Sequence, residues 1–68
     1  MDRNLKSFGE QISTERRRMK LTQLELAELA GLSLRPIYLL ETGKGDIRLG
    51  SLLKILHVLG MQVNLVQK

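Results

Sequence analysis

Cysteine is absent from this sequence, which excludes disulfide bonds and the thiolate frameworks that hold most structural zinc. A chain without cysteine fits a reducing cytoplasm. Aromatic side chains are nearly missing as well, Phe8 and Tyr38 being the only two. That is too few for the stacked rings on which single-stranded nucleic acid is held. The lone histidine, His57, has no second ligand candidate beside it, so it reads as a surface or partner contact and no metal is expected. No apolar run approaches the length of a bilayer span. Residues 1–10 mix charge and polarity without the apolar centre of a signal peptide. Catalysis lacks its usual equipment too: there is no thiol nucleophile, no carboxylate evidently paired with the histidine and no glycine-rich phosphate loop. The expectation is a cytoplasmic protein that is not an enzyme and has neither cofactor nor membrane partner.

What the chain does have is leucine and positive charge. Its 68 residues allow a single domain, residues 1–68. A fold of this size buries only about 60% of its unfolded surface, so self-association is the expected reinforcement. There are 11 Lys and Arg against 7 Asp and Glu, a net charge of +4. That balance favours a polyanionic partner, nucleic acid first and a membrane surface second, although solubility alone accounts for a charge of this size.

The apolar residues recur at helical spacing. Leu5, Phe8, Ile12 and Met19 mark a helix from about Arg3 to Met19. Thr22 followed three places on by Glu25 is a capping box. The helix it opens carries Leu26, Ala27 and Ala30 inward and stops at Gly31. After Leu32, Ser33 is the next N-cap, and Pro36 falls in the first turn, where a missing N–H costs little. That helix runs through Ile37 and Leu40 to Glu41 and ends at Thr42-Gly43. Lys44-Gly45-Asp46 is an open turn. A last helix spans about Leu49 to Leu59, with Leu49, Leu52, Ile55, Leu56 and Leu59 on its apolar face, and Gly60 ends it. Residues 61–66 alternate apolar and polar over their first five positions and read as a β-strand. A lone strand cannot satisfy its own backbone, and no other segment offers a partner. The expected fold is therefore all-α, a compact bundle of four to five helices whose short C-terminal strand pairs across a homodimer.

Two short helices joined by a tight glycine-containing turn, residues 22–42, make a helix-turn-helix unit. In such a unit the second helix enters the major groove of DNA and the first crosses the backbone. The run LTQLELAELAGLSLRPIYLLETGKG resembles the XRE family, the helix-turn-helix of Cro and phage repressors. Leu21, Thr22, Gln23, Leu26, Ala27, Gly31, Ile37, Leu40, Glu41 and Gly43 match its pattern, and Leu52-Leu53-Lys54-Ile55 with Leu59-Gly60 extends the likeness, which covers about Phe8 to Gly60. The resemblance implies a lambda-repressor-like domain that binds double-stranded operator DNA. It implies a backbone and base contact for Gln23, and groove-facing places for Leu34, Arg35, Tyr38 and Leu39. Thr22 and Ser33 join the set at helix N-termini, where free N–H groups suit phosphate.

Among these, Arg35 is the best base reader, since a guanidinium can bond guanine O6 and N7 together. Leu34 and Leu39 could pack on thymine methyls or on a protein partner. Lys44 and Arg48 are placed for phosphate, with a solvated loop as the alternative. The resemblance also implies that Arg16 and Glu41 form an internal salt bridge serving structure and not DNA. Arg17, Arg18 and Lys20 read as a solvated face, with phosphate as the alternative for Arg18 and Lys20.

Leu24, Leu29, Leu53 and Val58 fall where the family tolerates polar residues, and four surplus hydrophobes beside an orphan strand suggest surfaces for protein partners. Leu53, Val58, Met61, Val63 and Leu65 are the candidate dimerisation residues. The ending KILHVLGMQVNLV is similar to HipB-like antitoxins. That likeness implies repression of the protein's own operon at a palindromic operator, with a HipA-like kinase toxin as second partner. The alternative is an ordinary XRE-family regulator with no toxin. Either would be a bacterial cytoplasmic protein, associated with the nucleoid when bound to DNA.

Overall fold

Ile12, Leu26, Ile37 and Ile55 are shut off from solvent completely, and each comes from a different helix. The computed structural model describes residues 2–67. Its helices are α1 (Asp2–Arg18), α2 (Gln23–Ala30), α3 (Leu34–Thr42) and α4 (Leu49–Val58). Ala27, Ala30, Leu40, Leu56 and Leu59 complete the buried core, and Phe8, Leu32, Ile47, Leu52, Val58 and Met61 pack against its edges. Burying an aliphatic side chain fully stabilises a fold by about 1.5–3 kcal/mol, so these contacts are its main support. α3 packs on both α1 and α2, and α4 packs on α2.

Local chemistry sets the helix ends. Thr22 Oγ1 accepts from the Glu25 amide at 3.0 Å, and Glu25 Oε1 accepts from the Thr22 amide at 2.8 Å, completing the capping box. α2 ends at Gly31, whose φ of 70° lets its N–H reach Glu28 O while Leu32 N–H reaches Ala27 O. These are the paired bonds of a Schellman motif, and they turn the chain within three residues into α3. α1 ends with the same bond pattern, Lys20 N to Arg17 O and Leu21 N to Arg16 O, but here the left-handed residue is Lys20 at φ 59°.

Three expectations need correction. Ser33 has the backbone of an N-cap, yet its side chain makes no capping bond. An N-cap oxygen bonds the N–H of the second or third helical residue, and the third here is Pro36, which has none. Leu5 and Met19, placed on the inner stripe of the first helix, are 48% and 40% exposed. Leu49 is 68% exposed, because coverage of α4 begins only a turn later, partly at Leu52 and fully at Ile55. Residues 61–66 form no strand in the single chain, the state in which a segment expected to pair across a homodimer has no partner. Beyond Met61 the backbone makes no backbone–backbone hydrogen bond among the described residues, since nothing in a single chain lies alongside to accept one.

Candidate nucleic-acid interface

The inner face of α3 is committed to the core through Ile37 and Leu40, so its outer face is fixed by helical geometry. That face presents Leu34, Arg35 and Tyr38, all exposed, with Ser33 exposed just ahead of them. Leu34 and Tyr38 stand one turn apart on the same side, at 44% and 45% exposure. A bare α-helix with side chains is about 10–12 Å across, which suits a major groove about 12 Å wide.

Leu39 faces elsewhere. It is half-buried, and a Cβ added to Gly45 would stand 3.0 Å from its Cδ2. Leu39 thus lies under the loop that carries Lys44 and Arg48, both exposed. Ser33, Arg35, Pro36, Leu39, Asp46, Ile47, Arg48 and Ser51 line one open hollow of about 330 Å³. Folding therefore brings Arg35 and Arg48, distant in sequence, to a shared hollow beside the start of α3. Lys44 stands outside it.

Charge is unevenly spent. Among the described residues the ion pairs are Arg16–Glu41 and the surface pair Arg18–Glu15. Arg35, Lys44 and Arg48 enter neither, so each keeps its positive charge for solvent or a ligand. Within the basic run, Arg18 is held by Glu15 through Nε at 2.7 Å, which is the behaviour of a solvated face.

At the junction of α1, α2 and α3 lies a hydrogen-bonded cluster. Arg16 Nε and Nη2 donate to Glu41 Oε2 and Oε1 at 2.7 and 3.0 Å, and Arg16 Nη1 donates to Leu21 O at 2.7 Å. The two side chains are 9% and 5% exposed. Burial alone would push the Glu41 carboxyl up. The bonds from Arg16 and Gln23, the guanidinium charge and the Ser13 hydroxyl outweigh it and hold the carboxyl below its ordinary range. The unexpected member is Gln23, which sequence reading turned wholly toward DNA. Its Nε2 donates to Glu41 Oε1 at 3.1 Å. Thr22 is likewise occupied, its hydroxyl being the acceptor of the capping box.

Sequence reading also passed over Gly9, a buried glycine in the middle of α1 at the crossing with α3. A glycine inside a helical pattern is the available signal for such a close approach.

The candidate dimerisation residues divide into two groups. Leu53, Val63 and Leu65 are 49%, 43% and 94% exposed. Val58 and Met61 are half-buried against the core of their own chain. Leu29, Ala30, Leu53, Lys54, His57 and Val58 line an open groove between α2 and α4. Among the described residues no group of three or more His, Cys, Asp or Glu is placed to hold a metal ion, and no helix is long and apolar enough to cross a membrane.

Two comparisons bear on this surface. Residues 12–66 match a protein family described as helix-turn-helix. An uncharacterized HTH-type transcriptional regulator, y4mF of Sinorhizobium fredii (strain NBRC 101917 / NGR234), is 36% identical over 59 residues, which cover 87% of this chain and 78% of that protein.

Proposed function

The chain belongs to the XRE-type helix-turn-helix family, whose pattern spans residues 12–66, and from that membership we propose that it is a sequence-specific transcriptional repressor binding palindromic operator DNA as a homodimer. One observation carries the reading. The outer face of α3 offers Leu34, Arg35 and Tyr38 to solvent, on a helix joined to α2 by a tight turn and flanked by the unpaired cations Lys44 and Arg48. Arg35 reads a guanine, Leu34 and Tyr38 pack on neighbouring base edges, and Ser33, Gln23 and Thr22 approach the backbone from helix N-termini. Leu39, seated under the loop, holds Lys44 and Arg48 toward phosphate.

Residues 61–66 supply the dimer contact in this reading. Leu65 at 94% exposure and Val63 at 43%, on a backbone that beyond Met61 makes no backbone–backbone hydrogen bond among the described residues, gain both apolar cover and strand pairing from a second copy. Two α3 helices would then lie about 34–36 Å apart, one turn of duplex.

Selection from a random duplex pool, followed by binding measured against salt, tests the proposal. A defined, salt-sensitive sequence is expected. A folded protein with no preference for any duplex ends the reading.

A second reading follows from the exposed apolar groove beside Leu29 and Leu53: the repressor is also the antitoxin of a HipA-type kinase, holding it through that surface. Its support is the groove and the HipB-like ending; the family match and the named relative speak of a regulator alone. Co-expression with the product of an adjacent kinase reading frame, and co-purification of the two, is the measurement. A chain that purifies without a partner from such a strain is an ordinary regulator of the family, cytoplasmic and on the nucleoid when bound.

A further inference from the structure

Helices α2 and α4 pack on each other, and they turn acids outward on one side and bases on the other. The only ionisable side chains of α2 are Glu25 and Glu28, and those of α4 are Lys54 and His57. All four are exposed, and none enters an ion pair among the described residues. The groove at the junction is lined by Leu29, Ala30, Leu53, Lys54, His57 and Val58, with Leu29 62% and Leu53 49% exposed. Residues 61–66 take no part in that lining. The groove is thus a surface apart from the tail, although sequence alone groups Leu53 and Val58 with it.

DNA does not suit this face, because Glu25 and Glu28 repel a polyanion. Leu29 also stands about 10 Å along α2 from the capped Thr22 end, away from the proposed reading surface. What does suit the face is the same face of another copy. A twofold axis running along the groove sets α2 of one chain over α4 of the other, and α4 over α2. Leu29 of each chain then meets Leu53 of the other, and the glutamates of each meet Lys54 and His57 of the other. Every contact is made twice.

We propose that the α2–α4 face binds the same face of a second copy and so joins one operator-bound dimer to the next. The tail pairs two chains and this face pairs two dimers, so that adjacent operators are filled cooperatively. The joining of dimers rests on the reading of this chain as a homodimeric operator-binding regulator; the contact between faces does not.

The test uses the full chain and an exchange of charge. Glu28→Lys and Lys54→Glu are each expected to weaken self-association beyond the dimer by about 2- to 30-fold in sedimentation, since two surface ion pairs are lost on one axis. Mixed one to one, the two variants are expected to associate again, because the basic α2 of one meets the acidic α4 of the other. A pair formed inside one chain could not be restored by mixing. On a duplex carrying the selected operator twice, each variant alone should lose cooperative filling and keep its affinity for a single operator.

Variants that sediment as the wild type does overturn the proposal, as does a mixture no better associated than its parts. A fall in single-operator affinity alongside cooperativity makes this face the contact within the operator dimer, and overturns it too. So does a wild type that stays dimeric, the groove then being left to the kinase of the second reading. If the wild type selects no operator, the proposed function has failed, and sedimentation of the mixture still decides the contact between faces.

Discussion

Gly9 in α1 lies so close to Leu40 in α3 that a Cβ built on the glycine would stand 2.3 Å from the Leu40 carbonyl oxygen and 2.7 Å from that of Glu41. The contact is backbone against backbone, and neither side can swing away. At the far end of the same crossing, a Cβ on Gly43 would stand 3.1 Å from the Lys6 amide nitrogen. One glycine on each element lets α1 lie down on α3, and that seating brings Arg16 within reach of Glu41.

Gly9→Ala is therefore expected to destabilise the fold, although alanine is the better helix former by about 1 kcal/mol. Overpacking costs about 1–3 kcal/mol where side chains can adjust, and a carbonyl oxygen adjusts less. In a domain of this size each kcal/mol lowers Tm by about 4–8 °C. A thermal melt equal to or above the wild type would mean that the two helices separate freely at this point.

The Glu41 cluster predicts how stability varies with acid. Its carboxyl is held below the ordinary range in the folded state, so the unfolded chain binds the proton more readily. The stabilisation is complete above the unfolded value, about 4.3, and is lost as pH falls through the folded value. Glu41→Gln should be less stable than wild type at neutral pH, and the gap should close in acid. Arg16→Met strands a buried carboxylate and should cost about 3–5 kcal/mol. Urea unfolding of the three proteins at neutral and acid pH decides it. A gap that stays constant with pH removes Glu41 as the source.

Much of the fold can be read locally, and the parts that cannot be share a cause. The Thr22–Glu25 box and the stop at Gly31 are events within a few residues, so composition reveals them. Ile12, Leu26, Ile37 and Ile55 declare themselves by helical period. Leu5 and Leu49 share that period, yet they stay 48% and 68% exposed. Whether a stripe is covered depends on helix length and crossing, which no single segment encodes. The candidate site divides in the same way. Exposure of Leu34, Arg35 and Tyr38 follows from the burial of Ile37 and Leu40. The inward turn of Leu39 depends on a loop, and the bond from Gln23 to Glu41 joins residues 18 apart in sequence.

Lys20 is a residue whose conformation its type conceals. It holds φ at 59° to end α1, where a side chain costs about 1–2 kcal/mol relative to the right-handed region. Glycine escapes that cost but loses more entropy on folding, by about 0.5–1 kcal/mol. Lys20→Gly should therefore gain a few tenths to about 1 kcal/mol, seen as a higher urea midpoint with an unchanged slope. Operator affinity should hold if Lys20 belongs to the solvated face. A drop of similar size on operator and random duplex would assign it to phosphate instead.

Arg35 and the pair Lys44 and Arg48 carry the same charge, yet they should fail differently when truncated. A guanidinium bonded to guanine O6 and N7 is worth about 1–3 kcal/mol of discrimination against the wrong base. Arg35→Ala should thus weaken the selected operator by that amount, relax one base pair and leave random DNA little changed. A lysine or arginine on phosphate releases a counterion instead of reading a base. Lys44→Ala and Arg48→Ala should each weaken operator and random duplex alike, and each should lower the slope of log affinity against log salt by about one. The shared hollow makes Arg35 and Arg48 the informative comparison, because they lie close in space and differ only in the element that holds them. If both alter base preference, the loop before α4 reads sequence as well. If neither does, α3 rests on the backbone and the groove is read from elsewhere.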